Sequence, residues 1–330
     1  MQQPDAAPST ARLGDSPTQP NRRRVLALAG AIALYVVVTA IGHHFSVWHG
    51  YVDLEVYRAG ARVWLDGKDL YGPLPPVEGD TLLPFTYPPL AALFFVPLAL
   101  LPKLAAQWVV FASSVIALAL VLAMVLRRLR PRMDAVELTA LVIAAVAVFQ
   151  FVEPVRTTLG YGQINLVLML VIAADVLVRK PWWPRGLLIG IAVSIKLTPA
   201  AFILYFILRR DYRAAATMVA GTIGAIAVGF LVLPSASRQY WLHTLVETDR
   251  IGDPHFANNQ SLKGFAARLH LPETQTTIIW LGLSLIALVL AVIWMRRLFA
   301  AREYLAALLV NALLVPVSYT HLRAHETVLD

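Results

Sequence analysis

Long apolar segments alternate with short polar stretches along most of the chain. A helix that crosses about 30 Å of hydrocarbon needs roughly 20 mostly apolar residues, and several segments approach that length. Their pattern predicts an all-α, polytopic transmembrane helical bundle. The segments that we expect to cross the membrane are residues 25–42, 104–126, 138–152, 166–178, 214–233 and 276–294, and residues 304–315 are expected to start outward again.

Two further apolar segments are predicted to enter the membrane without spanning it. Residues 90–101 contain Pro97 and would reach only about 18 Å as a helix, so we interpret them as a juxtamembrane or re-entrant half-helix. Residues 186–208 are flanked by basic residues at both ends and interrupted at 196–199. Two half-helices that meet at this break suit the charge pattern better than one span, and broken backbone at depth has to be buried in protein or line a cavity.

Basic residues predict how the segments are oriented. Short arginine runs lie beside apolar segments, as in cytoplasmic loops, at residues 22–24, 127–128, 209–210 and 296–297. The first run places the N-terminus in the cytoplasm of a multi-pass plasma-membrane protein. The polar stretches that then lie outside, around a single pocket mouth, are residues 43–88, 153–165 and 235–275. Within the first of these, the apolar spacing of Val52, Val56 and Val63 predicts a short helix lying on the membrane.

Composition agrees with a membrane protein and limits the chemistry. The chain is 58% apolar and 15% charged, and its formal charge is +8. Because the basic residues lie beside apolar segments, we interpret them as membrane-orienting and expect no nucleic-acid partner. The absence of cysteine excludes thiolate metal sites and cysteine nucleophiles. His43, His44 and His49 lack helical spacing and carboxylate partners, so no metal or other cofactor is expected.

The two ends of the chain are predicted to differ from its centre. Residues 1–24 form a polar, disordered cytoplasmic tail, because they cannot bury a core. Residues 25–316 form the transmembrane domain, which we expect to be incomplete at its C-terminus. Residues 317–330 resemble a tail produced by read-through into a sequencing adapter, so we expect them to be non-native.

Asp53 is the first candidate for catalysis. It lies with Glu55 and Arg58 in a charged cluster after the first apolar segment. A carboxylate partly shielded from water is suited to take a proton from an attacking hydroxyl, and Arg58 or Arg62 could hold a phosphate. The alternative, left open by spacing alone, is that Asp53 caps a surface helix starting near Leu54.

Lys196 is the second candidate, because a lysine inside a membrane segment commonly marks a substrate site. The alternatives are snorkelling of its side chain or an ion pair with Asp175. Glu153 and Arg156 form a third candidate, with an ordinary surface pair as the alternative.

Amide side chains form a further group. Gln163 and Asn165 offer neutral donors and acceptors for sugar hydroxyls, or else a helix cap. Asn259, Gln260 and Ser261 match a glycosylation sequon, but we interpret them as a substrate-facing loop. The chain has no Asp-x-Asp pair, which argues against a metal-bound nucleotide-sugar donor and favours a lipid-linked sugar.

Seven motifs in order resemble glycosyltransferase family 87, a group with the GT-C fold that contains actinobacterial polyprenol-phosphate-mannose-dependent α-(1→2)-mannosyltransferases. Further details, such as residues 59–67, 183–187 and 248–252, most resemble the lipomannan branch of that family. The motifs are Val52-Asp53-Leu54-Glu55-Val56-Tyr57, Leu70-Tyr71-Gly72, Leu83-Pro84-Phe85-Thr86-Tyr87-Pro88-Pro89, Glu153-Pro154, Tyr161-Gly162-Gln163-Ile164-Asn165, Lys196-Leu197-Thr198-Pro199-Ala200 and Asn259-Gln260-Ser261.

The resemblance implies an inverting transfer of mannose from polyprenyl-phosphate-mannose to a cell-envelope glycolipid or lipoglycan, outside the plasma membrane. It places Asp53 at the family's essential acidic position, as the catalytic base. The donor phosphate is expected near Arg58, Arg156 or Lys196, and the donor lipid in a groove open to the bilayer. The residues expected to contact the substrates are Tyr57, Tyr87, Tyr161, Gln163, Asn165, Asn259 and Gln260.

Two other functions remain open from the sequence. One is an arabinosyltransferase that uses polyprenyl-phosphate-arabinose and shares the fold. The other is a transporter or flippase for a lipid-linked sugar, which would share the bundle and the broken segment at Lys196. A transporter would not need the carboxylate of Asp53, and no inverted repeat is evident in the chain.

Overall fold

A computed structural model describes residues 22–77, 82–246 and 260–318. These residues form helices joined by turns and short irregular segments, with no extended strand among them. The predicted site residue Asn259 and most of the predicted non-native tail lie outside the described residues.

The longer α-helices follow the predicted apolar segments. Two short 3-10 helices, Thr198–Phe202 and Thr244–Val246, accompany them. In chain order the α-helices are α1 Arg22–His44, α2 Val52–Leu65, α3 Pro89–Leu100, α4 Lys103–Leu129, α5 Ala135–Phe149, α6 Glu153–Gly160, α7 Asn165–Leu177, α8 Leu187–Val193, α9 Ile203–Leu208, α10 Tyr212–Val232, α11 Pro234–Leu242, α12 Leu262–Ala267, α13 Glu273–Ala300 and α14 Tyr304–Ser318.

The prediction of an all-α, multi-pass membrane protein is confirmed. Among the described residues, α1, α4, α10 and α13 are each long and apolar enough to cross a membrane. The pair α5 and α6 would count as a fifth span, although the two helices meet at 78°. Helix α7, predicted as a span, has 13 residues and reaches only about 20 Å.

The helices pack as neighbouring pairs around several apolar clusters. Helix α1 packs on α5, α4 packs between α5 and α7, α8 packs on α10, and α13 packs on α14. Large apolar side chains stay exposed on the outer faces of the long helices, for example Leu26, Ile116 and Leu285. An apolar exterior of this kind is typical of helices that face lipid.

Both predicted half-helical segments are present. Helix α3 has 12 residues and ends just before Pro102. The segment 186–208 is split into α8, the 3-10 helix Thr198–Phe202 and α9, and Lys196 lies in the break. Pro199 at the start of the 3-10 helix supplies no backbone donor, which favours an interruption there.

Three regions for which the sequence predicted no helix contain one. Helix α6 lies inside the polar stretch 153–165, where Pro154 occupies a favourable position in the first helical turn. Helix α12 lies inside 235–275, and α11 begins one residue before that stretch, at Pro234. Helix α1 begins at Arg22, so residues 22–24 belong to a helix rather than to the predicted disordered tail.

Candidate active site

The N-terminal turn of α2 is fixed to the turn that follows α6. The backbone N–H of Tyr51 donates to the carbonyl of Gly160 at 2.9 Å, and that of Leu54 donates to Tyr161 at 3.2 Å. Gly162 has a φ of +67°, and an added Cβ would lie 2.9 Å from Leu54. Glycine tolerates this left-handed backbone and close approach, and the turn therefore brings Gln163 beside Asp53.

A chain of polar side chains connects Asp53 to Lys196. A carboxylate oxygen of Asp53 accepts a hydrogen bond from Nε2 of Gln163. Oε1 of Gln163 accepts from Nδ2 of Asn165 at 2.6 Å, and Oδ1 of Asn165 accepts from Nζ of Lys196 at 2.7 Å. Asp53 lies on α2, Gln163 in the turn before α7, Asn165 at the start of α7 and Lys196 in the break after α8. The fold therefore brings together side chains that are 143 positions apart, from 53 to 196.

Lys196 supplies a positive charge to this chain. Its ammonium group lies 5.5 Å from the centre of the Tyr87 ring and interacts electrostatically with Asp53. A cation in this position is suited to stabilise a nearby anion.

Tyr57 and Tyr87 form the adjoining wall. Their hydroxyl oxygens are 3.0 Å apart, and the Tyr57 ring stacks on Phe95 with 4.1 Å between centroids. The Tyr71 hydroxyl donates to the carbonyl of Tyr87 at 2.8 Å. Burial raises the pKa of Tyr57 and of Tyr87, and the charge of Asp53 raises both further. Both phenols therefore remain protonated at neutral pH and can donate hydrogen bonds.

Arg58 points from α2 towards α3. It is buried, and its guanidinium donates to the carbonyls of Leu98 and Leu101 at 3.1 and 2.7 Å. It also pairs with Glu55 at 3.3 Å, and Lys103 lies 3.8 Å from the same carboxylate oxygen. Glu55 therefore contacts Arg58 and Lys103, whereas Asp53 contacts Gln163. The structure places Arg58 between helices rather than beside the Asp53–Lys196 chain.

The third polar stretch contacts the first through α11. Nε2 of Gln239 donates to the Asp69 carboxylate at 3.3 Å, and the rings of Tyr71 and Tyr240 stack with centroids 5.5 Å apart. Parts of all three polar stretches therefore meet, as predicted. Tyr71, Phe95 and Gln239 were not predicted from the sequence as site residues. The only sequence feature that could have indicated one of them is the motif Leu70-Tyr71-Gly72, which contains Tyr71.

The remaining predicted residues lie around this centre or apart from it. Tyr161 is partly exposed and contributes its carbonyl to α2, whereas Arg156 is exposed on α6. Gln260 is exposed and directly precedes Ser261, whose hydroxyl accepts from the N–H of Gly264 at the start of α12. Neither Arg156 nor Gln260 is among the residues that the Asp53–Lys196 chain joins.

Three structural alternatives are wrong. The N-cap of α2 is Tyr51, without a side-chain cap, so Asp53 does not serve as the cap. The N-cap of α7 is Ile164, so Gln163 and Asn165 do not cap that helix. Asp175 does not pair with Lys196; its carboxylate accepts from Trp183 and from the backbone N–H groups of Gly186 and Ile189.

The arrangement combines a proton acceptor, hydroxyl-binding amides and a cation. Asp53 can accept a proton, Gln163 and Asn165 can orient hydroxyl groups, and Lys196 can compensate a negative charge. Within residues 22–77, 82–246 and 260–318, no group of three or more histidine, aspartate or glutamate side chains is placed to hold a metal ion.

Known proteins similar in sequence to this chain are glycosyltransferases. One relative, from Mycobacterium tuberculosis, is a polyprenol-phosphate-mannose-dependent α-(1-2)-phosphatidylinositol mannoside mannosyltransferase; it is 38% identical over 89% of this chain and 71% of its own length. Its namesake from Mycolicibacterium smegmatis is 39% identical over 74% of this chain and 58% of its own length.

A more distant relative is an α-(1->3)-arabinofuranosyltransferase from Corynebacterium glutamicum, 26% identical over 82% of this chain and 65% of its own length. No solved structure matches the chain. The model of glycosyltransferase family 87 matches residues 85–318, which include Tyr87, Gln163, Asn165 and Lys196. The chain belongs to glycosyltransferase family 87.

Proposed function

We propose that the protein transfers mannose from polyprenyl-phosphate-mannose to a hydroxyl group of a glycolipid, forming an α-(1→2) linkage. Family membership and the activities of the two 38–39% identical relatives support this function. The observation that carries it is the hydrogen-bonded chain from the Asp53 carboxylate to the Lys196 ammonium group.

The proposed reaction is a single displacement with inversion. The acceptor 2-hydroxyl oxygen attacks the anomeric carbon of β-mannosyl-phosphoryl-polyprenol while Asp53 takes the hydroxyl proton. The bond between the anomeric carbon and the phosphate oxygen breaks on the opposite face, and polyprenyl phosphate leaves with the bonding electrons. Inversion of a β-linked donor gives the α-linkage.

Lys196 is the proposed partner of the departing phosphate. It combines a positive charge with a position two hydrogen-bonded amides away from Asp53. Arg58 is less suited, because Leu98, Leu101 and Glu55 already use its guanidinium. Arg156 would reach the phosphate only at the rim, since it lies exposed on α6.

The proposed location is the outer face of the plasma membrane, with the N-terminus in the cytoplasm. The arginine runs at one set of helix ends support this orientation. The acceptor is a cell-envelope glycolipid. Phosphatidylinositol mannosides are the acceptors named for the two relatives, and lipomannan is the finer prediction from the sequence.

The first test replaces Asp53 by Asn, which keeps the shape and removes the proton acceptor. Loss of a general base lowers the rate by about 10²- to 10⁴-fold. The measurement is transfer of radiolabelled mannose from polyprenyl-phosphate-mannose to phosphatidylinositol mannosides and to lipomannan in membranes containing the full chain. Asp66→Asn is the matched control, because Asp66 is an exposed residue in a surface ion pair at the far end of α2.

Wild-type rates in the Asp53→Asn protein would overturn the assignment of Asp53 as the base. The same membranes supplied with polyprenyl-phosphate-arabinose test the second candidate function, which the arabinofuranosyltransferase relative favours. Transfer of arabinose without transfer of mannose would replace the proposed donor.

A further inference from the structure

A cavity lies at the opposite end of the bundle from Asp53. It has a volume of about 430 Å³ and lies between the C-terminal ends of α4 and α7. Leu54 on α2 packs against the N-terminal part of α4, and the 27 residues of α4 span about 40 Å. The cavity is therefore separate from the Asp53–Lys196 chain.

Three arginines line one side of this cavity. They are Arg127 and Arg128 at the end of α4 and Arg179 after α7. Arg128 donates a hydrogen bond to the carbonyl of Leu177. Its guanidinium is also repelled electrostatically by the positive charges of Arg179, Arg185 and Arg209. Within the described parts of the chain, the side chains of Arg127 and Arg179 form no hydrogen bond or ion pair.

The nearby carboxylates do not balance this charge. Asp175 accepts hydrogen bonds from Trp183, Gly186 and Ile189 on the inner side of the turn. Asp134, after the end of α4, pairs with Arg24 at 3.1 Å. No acidic residue is among those that line the cavity.

The other side of the cavity is apolar and continues onto the outer surface of α4. Leu120 and Met124 line the cavity, and Leu120 is 47% exposed. Ile116, one turn earlier on α4, is 57% exposed. A strip of apolar surface thus leads from the arginines along the helix into the region where lipid chains would lie.

We propose that this cavity binds the phosphate headgroup of an anionic glycerophospholipid, with an acyl chain along α4. A planar guanidinium group can bind two oxygens of one phosphate at once. Basic pockets between transmembrane helices at the cytoplasmic side are suited to anionic lipid headgroups. The apolar strip favours a lipid over a soluble phosphate. The arginine runs place this end of the bundle at the cytoplasmic leaflet. The proposal does not depend on the mannosyltransferase assignment.

The test measures thermal unfolding of the full chain in neutral detergent with added lipid. Phosphatidylglycerol should raise the melting temperature, and phosphatidylcholine should not. In Arg127→Gln/Arg179→Gln, the apparent affinity for phosphatidylglycerol should fall by about tenfold or more, as expected for lost charge-assisted hydrogen bonds. Neither replaced side chain has a partner within the described chain, so folding should be preserved.

Arg296→Gln/Arg297→Gln is the matched control. This pair is exposed near the end of α13 and removes the same charge without touching the cavity, so it should keep the phosphatidylglycerol effect. Equal loss in both double variants, or no loss in either, would overturn the proposal, since the effect would then depend on overall charge or on another surface. If the Arg127→Gln/Arg179→Gln protein fails to fold, Arg179→Gln alone should show a smaller fall in apparent affinity for phosphatidylglycerol. An unchanged affinity in that single variant would count against the site.

Soluble anions test whether the cavity binds a lipid headgroup or a free phosphate. Inorganic phosphate and glycerol 1-phosphate should leave the melting temperature unchanged at concentrations where phosphatidylglycerol acts. Stabilisation by either soluble anion at those concentrations, dependent on Arg127 and Arg179, would make this a soluble-phosphate site and overturn the lipid assignment.

Discussion

At the residue scale, the surroundings of Asp53 separate a catalytic role from a capping role. The N-cap of α2 is two residues earlier, and the Asp53 carboxylate faces Gln163 instead of the helix end. Tyr57 lies four positions later on the same face of α2 and contributes a phenol that burial keeps protonated. A carboxylate beside neutral donors and one cation is suited to accept a proton from a hydroxyl.

Replacing Lys196 by Met should weaken the proposed interaction with the donor phosphate. Charge-assisted hydrogen bonds contribute about 1.5–3 kcal/mol, which corresponds to roughly a 10- to 100-fold loss in kcat/KM for the donor. Steady-state rates at varied polyprenyl-phosphate-mannose concentration measure this change.

Lys196→Arg should recover part of the activity, because it keeps the charge. Lys180→Met removes an exposed lysine from the loop after α7 and should leave the donor kinetics unchanged. A Lys196→Met protein with unaltered donor kinetics would exclude a role for this ammonium group in binding the phosphate.

At the element scale, two arginines attach α2 to the end of α3. Helix α3 ends at Leu100, so its last carbonyls have no partner within the helix. Arg58 binds the carbonyls of Leu98 and Leu101, and Arg62 binds that of Ala99 at 3.1 and 2.9 Å. The half-helix is therefore capped by a neighbouring helix, which fixes the position of Tyr57 and Asp53 relative to Phe95.

Arg58→Met should lower stability more than it alters donor binding. Arg58 is buried, although its pair with Glu55 is only partly so, and the carbonyls of Leu98 and Leu101 would also lose their donor. A buried polar group left without its partner costs about 1–3 kcal/mol. The melting temperature in detergent should fall, while KM for the donor should change little in the folded fraction.

Arg213→Met, at an exposed position at the start of α10, is the control and should melt like the wild type. A raised donor KM with an unchanged melting temperature in Arg58→Met would instead indicate that Arg58 binds the donor phosphate, as the sequence predicted.

At the scale of the whole molecule, the orientation is open to a direct test because the chain contains no cysteine. Single cysteines can be introduced at two exposed positions, Asp66→Cys after α2 and Lys180→Cys after α7. In intact cells, a membrane-impermeant maleimide should label the first and should label the second only after permeabilisation. The reverse pattern would move the proposed active site to the cytoplasmic face.

The sequence by itself determined the class of fold and the position of most helices. Apolar length and clustered arginines are local properties, and they predicted α1, α4, α10 and α13 and the two interrupted segments at α3 and at Lys196. The helices that it missed, α6, α11 and α12, have only 8, 9 and 6 residues. Their formation depends on proline position and on neighbours, and hydropathy does not detect either.

Only the tertiary structure decided which polar residues act together. Asp53, Gln163, Asn165 and Lys196 were each candidates with a structural alternative, because spacing along the chain does not show which side chains meet. The same packing assigned Arg58 to the end of α3 and left Arg127 and Arg179 beside a cavity. A charged side chain in a bundle takes its role from the partners available after folding, and those partners come from distant parts of the sequence.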